Sequence, residues 1–230
     1  MNCLYLPVLS RAVKDYKLAD EEIKHIKVLR ISQNEIIMVV NGKGLTATGK
    51  ITLIRKNEIY FRPDEYIENS GENPFKSGLA LGILDNRDRL EIALEKAVEL
   101  GINDFYPLIT KYTQTKKINT ERLNLKAVSA MKQCCRSVLP NIHSPITINE
   151  LLEEAKEYER ILLADINGMK PEEISNEKTT LLLVGPEGGF SIDEIELMKK
   201  DKRVELINLG KRRLRAETSA IVALGLINSR

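Results

Sequence analysis

At 230 residues with 43% hydrophobic content, the chain is long enough for one large or two small domains and can fill a core. Lys and Arg total 35 against 33 Asp and Glu, a net charge of +2, which excludes a polycation that holds nucleic acid over its whole surface. The cysteines, Cys3, Cys134 and Cys135, match neither a disulfide framework nor zinc-ligand spacing, and with only His25 and His143 besides, no metal site is expected.

The apolar runs are too short to span a membrane. The start MNCLYLPVLSR has neither the charged region nor the long apolar core of a signal peptide, so a cytoplasmic protein is expected. Residues 1–66 read as mostly β. A short helix beginning near Ala19 precedes β-rich runs at Glu35–Val40, Leu45–Ile54 and Asn57–Arg62, separated by Asn41-Gly42-Lys43-Gly44 and Arg55-Lys56. This pattern fits a small barrel or meander. His25 and Arg30, near the end of the helix, are either RNA contacts or polar groups on a supporting helix. Residues 67–78, in the stretch EYIENSGENPFKSG, lack apolar periodicity and read as a linker.

From residue 79 to residue 230 strands alternate with helices, the signature of an α/β domain with a mainly parallel sheet. Leu79–Leu84 reads as a strand, and Asp88–Leu100 as a helix with Leu90, Ala93, Leu94, Ala97 and Leu100 on one face, closed by Gly101. Phe105–Ile109 is the next strand and Thr120–Val138 the next helix, broken by Pro140. Arg160–Ala164, Leu181–Val184 and Val204–Leu209 read as further strands, and Ala216–Ile227 as the closing helix.

The stretch LLLVGPEGGFSIDEIEL, residues 181–197, organises this second region. Four apolar residues without polar alternation make a strand buried on both faces, which Gly185 and Pro186 stop. The following helix is signalled by a capping box, Ser191 with Glu194, and by an apolar staple between Phe190 and Ile195. Gly185-Pro186-Glu187-Gly188-Gly189 therefore joins an interior strand's carboxyl end to a helix, where ligands of open α/β sheets sit. Its glycines allow close backbone approach, but Glu187 opposes phosphate and no dinucleotide or Walker pattern is present. The loop is either a plain turn with a solvated Glu187 or the seat of a ligand with a cationic centre.

Two further segments stand out. Gln133 and Arg136 fall one turn apart on the expected helix face, where they either reach a common acceptor or form a solvated polar face. Lys211-Arg212-Arg213-Leu214-Arg215 is a dense basic run after a strand end, followed by Glu217, Thr218 and Ser219 at a helix start.

GPEGG followed by F-S-x-x-E, and further on LG-x-x-x-LR-x-ET, resembles the RsmE family of SPOUT methyltransferases, which methylate N3 of a uridine in 16S ribosomal RNA. The H-x-x-VLR segment is similar to that family's PUA-like barrel, and EKAVELGINDFYPL and A-x-x-QCCRS-x-x-P to its early carboxyl-domain motifs. The resemblance implies a SPOUT-type trefoil-knotted, mainly parallel sheet domain at 79–230, preceded by a small PUA-like β-barrel domain at 1–66. It implies a homodimer that binds S-adenosylmethionine and acts on the small ribosomal subunit, with neither membrane nor metal.

On that resemblance Val184, Gly185, Glu187, Gly188, Gly189, Leu209, Gly210 and Leu214 hold the cofactor. Arg136 and Arg215 are the candidates for stabilising the uridine, while Arg30, Lys211, Arg212 and Arg213 contact RNA. Glu217, a carboxylate opening a helix beside basic groups, is either a weak general base or a structural group. The chain departs from the family pattern at Lys132, where Glu is usual, at Ser219, where Ala is usual, and at Asp85-Asn86-Arg87, which replaces a usual Lys. The alternatives are a SPOUT enzyme acting on another RNA and a non-catalytic RNA-binding dimer that kept the knot.

Overall fold

The protein's structure, a computed structural model, describes residues 2–171, 174 and 177–228. The outer limits of the two expected domains, residues 1 and 230, lie outside the described residues. The described chain forms two compact units, 1–72 with 128–139, and 73–127 with 140–230.

In the first unit β1 (Cys3–Tyr5) pairs in parallel with β3 (Ile36–Val40). The remaining pairs are antiparallel: β3 with β4 (Leu45–Arg55), β4 with β5 (Glu58–Glu68), and β5 with β2 (Tyr16–Lys17). The sheet order is β1-β3-β4-β5-β2. Helix α1 (Asp20–Leu29) starts after Ala19 with three acids in its first turn, which complement the positive end of the helix dipole. Its Ile23 and Ile26 join Leu4, Ile37, Val39, Ala47, Ile51, Ile59 and Phe61 in the core. The expected strands are present, and β5 runs past Arg62 to Glu68, into the stretch read as a linker.

The second unit holds an all-parallel sheet in the order β12-β10-β11-β6-β7-β8, with β9 also on β7. Its strands are β6 (Ser77–Gly82), β7 (Asp104–Ile109), β8 (Asn141–Ile142), β9 (Ile146–Thr147), β10 (Arg160–Met169), β11 (Thr180–Val184) and β12 (Val204–Ile207). Every residue of β11 is buried, as an interior parallel strand covered on both faces requires. Leu181 and Leu183 join Tyr106, Leu151, Tyr158, Ile161 and Met198 in one core cluster. Strand pleating turns Leu182 and Val184 the other way, and α6 (Ala216–Asn228) packs on β11 and β6 and against α2 (Arg87–Glu99).

At the amino ends of these strands Asp104, 1% exposed, is a hub. Its carboxylate accepts from Tyr158 Oη at 2.6 Å and Asn141 Nδ2 at 3.1 Å, and it meets Lys76 Nζ at 2.8 Å and His143 Nε2 at 2.9 Å. Burial alone would raise its pKa, but the bonds from His143, Lys76, Tyr158 and Asn141 together hold it below the usual carboxylate range.

Two local expectations need correction. The helix expected over 120–138 is α3 (Thr120–Cys134), because Cys135 turns left-handed at φ 59°. Arg136 N then bonds Met131 O at 3.2 Å and Cys135 N bonds Lys132 O at 3.4 Å, a Schellman ending with cysteine in the place glycine usually takes. Gln133 and Arg136 therefore share no helix face, and residues 128–139 pack with the first unit. Helix α4 (Ile148–Glu154), unanticipated, is announced by a capping box of Thr147 with Glu150.

Candidate active site

The loop after β11 is built as its residues dictate. Ser191 Oγ accepts from Glu194 N at 3.3 Å while Glu194 Oε2 accepts from Ser191 N at 2.7 Å, which caps α5 (Ile192–Met198). Phe190 and Ile195 pack against the core cluster beneath. Gly82, at the end of β6, leaves room for Pro186, since a Cβ there would meet the proline ring at 2.3 Å.

A cavity of about 630 Å³ opens at the carboxyl ends of β10 and β11, within the range of small-molecule sites. Leu163 to Ile166, Val184 to Glu187 and Gly189 line it from the strand ends, Phe190 and Ile195 from below, and Arg213 to Glu217 and Ser219 from the opposite wall. Arg89 of α2 completes it and pairs with Glu217, Nε to Oε1, at 3.7 Å. A neighbouring cavity of about 330 Å³ shares Ala164 to Ile166, Arg213, Leu214 and Ser219, and adds Leu209, Gly210 and Arg212.

Nearly all the anticipated residues of this unit are thus brought together. Val184, Gly185, Glu187, Gly189, Leu214, Arg213 and Arg215 line the first cavity, and Leu209, Gly210 and Arg212 the second. Lys211 is exposed beside them. Arg213 Nη2 donates to Glu187 O at 3.3 Å, so the basic run is tied to the glycine loop. Gly188 lines neither cavity; a Cβ there would meet Tyr112 Cβ at 2.8 Å. Gly189 (φ 70°) and Gly210 (φ 116°) adopt conformations that L side chains rarely take, and a Cβ on either would meet nothing within 4 Å. Their backbones stand open to a ligand.

The lining suits one kind of guest. Asp165, Glu187 and Glu217 offer carboxylates, and Arg89, Arg213 and Arg215 offer guanidiniums, over an apolar floor of Leu163, Val184, Phe190, Ile195 and Leu214. That mixture accommodates a molecule with an internal cation, a carboxylate and a flat heterocycle.

In the first unit Arg30 is the exposed C-cap of α1, in the left-handed conformation at φ 55°. Arg136, expected to stabilise a substrate base, is instead 2% exposed, with its Nη2 2.6 Å from Glu72 Oε2. Glu72 Oε1 also accepts from Ser137 N at 3.0 Å and Val138 N at 2.9 Å. Glu72 thus joins this guanidinium to the backbone of residues 137 and 138. Lys132 pairs with Glu22 at 2.6 Å, largely buried, where an acid would face Glu22 unpaired. Asn86, in the place of a usual Lys, caps α2 by accepting from Arg89 N at 3.1 Å.

Asp165 and Arg89 line the first cavity, Asn208 lines the second and Tyr112 lies against Gly188, none of them anticipated from the sequence. Asn208 donates from Nδ2 to Ile166 O at 2.6 Å and accepts from Gly210 N at 2.8 Å, shaping the wall between the cavities. Only the strand order places Asp165 beside the glycine loop. The signal that could have found Arg89 is its place in the first turn of the helix that follows β6, at the carboxyl edge of the sheet.

A parallel sheet of this order, with a glycine loop and a basic loop meeting at its carboxyl edge, is that of a SPOUT-type methyltransferase domain, here accompanied by a small PUA-like unit. A family model described as an RNA methyltransferase domain matches residues 71–228, and one described as an RNA methyltransferase PUA domain matches residues 18–64. The chain belongs to the ribosomal RNA small subunit methyltransferase E family.

It is 33% identical to the member from Rickettsia conorii over 95% of this chain and 92% of that one. It is 32% identical to the member from Mesomycoplasma hyopneumoniae, over 90% and 91%. The crystal structure of ribosomal RNA small subunit methyltransferase E from Neisseria gonorrhoeae bound to S-adenosyl methionine superposes with a TM-score of 0.90 at 27% identity, over 100% of this chain and 97% of that one.

Proposed function

We propose that this protein transfers a methyl group from S-adenosylmethionine to N3 of a specific uridine in 16S ribosomal RNA, acting as a homodimer in the cytoplasm. The observation that carries this reading is the cavity at the ends of β10 and β11, where the glycine loop and Leu214-Arg215 face each other in a chain of this family. The bound cofactor supplies an electrophilic methyl group on a sulfonium.

Val184, Gly185 and Gly189 approach it through their backbone, while Leu209, Gly210 and Leu214 form the second wall. Asp165 and Glu187 match its positive groups. A uridine N3 carries a proton at neutral pH, which must pass to solvent water before the nitrogen can accept a methyl group. Arg215, exposed at the rim of the cavity, stabilises the uracil anion that results, and the Arg89–Glu217 pair holds the start of α6 in place. Lys211, Arg212 and Arg213 meet phosphates, with Arg30 contributing from the first unit.

Mass mapping of 16S ribosomal RNA from cells with and without the gene tests the reading. One methylated uridine should disappear with the gene and return when the purified protein and cofactor are added. An unchanged map would refute it.

A further inference from the structure

The loop after β7 carries an aromatic ring that the methyl-transfer reading leaves without a role. Tyr112 is 48% exposed, yet its base is seated on the glycine loop, where a Cβ on Gly188 would lie 2.8 Å from Tyr112 Cβ and 3.2 Å from Cγ. The loop under the ring is pinned. Lys111 N donates to Glu194 Oε1 at 2.7 Å, Thr110 N donates to Thr113 Oγ1 at 2.9 Å, and Thr113 N donates to Thr110 O at 3.1 Å. The carboxylate that caps α5 thus also fixes the backbone beside Tyr112.

Exposed cations lie on the segments that meet here. Lys111, Lys116 and Lys117 belong to the same loop, and Arg213 reaches the glycine loop at Glu187 O. Three acids accompany them: Glu194 accepts from Lys111 N, Asp193 faces Lys111 Nζ at 3.6 Å, and Glu187 lies on the glycine loop. A ring held on rigid backbone loses little freedom when a flat partner covers it, and cations beside it suit a phosphate backbone.

We propose that Tyr112 is a stacking platform for a nucleobase of the single-stranded RNA substrate, beside the base that is methylated. The inference rests on the RNA methyltransferase reading. The ring positions the strand and leaves the cofactor to the cavity wall on the other side of the loop.

The chain contains no tryptophan, so Tyr112→Trp in the full-length protein places a sole reporter at this position. Its fluorescence should be quenched by a uridine-containing RNA oligonucleotide and unaffected by the same backbone made abasic. Steady-state kinetics on 16S ribosomal RNA from cells lacking the gene supply the second arm. Tyr112→Phe should keep KM for RNA within about twofold, whereas Tyr112→Ala should raise it ~5- to ~150-fold, the range for a lost base–aromatic stack.

Calorimetry should find the S-adenosylmethionine affinity of Tyr112→Ala within about twofold of the parent, since a stack on RNA is not shared with the cofactor. Equal quenching by the abasic strand, an unchanged KM for RNA, or a parallel loss of cofactor affinity would overturn the proposal. If the parent binds no S-adenosylmethionine, the methyltransferase reading fails, and the tryptophan signal still decides whether bases stack here.

Discussion

Arg136 Nη2 lies 2.6 Å from Glu72 Oε2, and with side chains 2% and 9% exposed the pair is closed to water. Removing one member of a buried pair strands the other charge and costs about 3–5 kcal/mol. Arg136→Ala should therefore lower the denaturation midpoint sharply, and Glu72→Gln should do so more mildly. A variant as stable as the parent but slow in turnover would return Arg136 to the catalytic residues.

Cys135 sits at φ 59°, a conformation that costs an L residue about 1–2 kcal/mol and glycine little. Cys135→Gly should raise the melting temperature by a few degrees, since about 1 kcal/mol shifts a chain of this size by ~2–4 °C. A fall in melting temperature would mean that the thiol's contacts outweigh the backbone strain.

Asp104 sets an acid limit. Its folded pKa is held below its ordinary value, so the stability it contributes is fully present above about pH 3.9, the unfolded value for aspartate, and is lost as pH falls through the folded value. Below about pH 4 the parent should therefore lose stability more steeply than Asp104→Asn, which should be less stable than the parent at neutral pH. Parallel acid limbs, measured by urea midpoints, would contradict this.

Gly189 lines the cavity at φ 70°, a region closed to β-branched residues. Gly189→Val should abolish S-adenosylmethionine binding in calorimetry while far-ultraviolet circular dichroism still reports a folded chain. Gly188→Ala touches Tyr112 instead of the cavity, so it should disturb RNA binding more than cofactor binding. Full cofactor affinity in Gly189→Val would remove the glycine loop from the site.

Much of this protein is decided within short stretches of its sequence. The apolar run Leu181–Val184, the Gly-Pro stop and the Ser191–Glu194 capping box determine strand, loop and helix by themselves, because burial on both faces, φ and capping are local demands. The same capping logic was present at Thr147 and Glu150 and marked α4. The end of α3 was not legible, since Cys135 takes a glycine's conformation without being glycine.

The tertiary structure decided what meets what. Parallel pairing of β10 with β11 and β12 sets Ala164 to Ile166 against both loops, although the strands are separated in sequence by whole helices or loops. Tyr112 reaches Gly188 and Arg136 reaches Glu72 in the same way. Propensity and periodicity are properties of neighbours along the chain, whereas these contacts depend on which distant surfaces bury each other best. The amino-acid sequence therefore determined the loop that can hold a ligand, and only packing determined which side chains surround it.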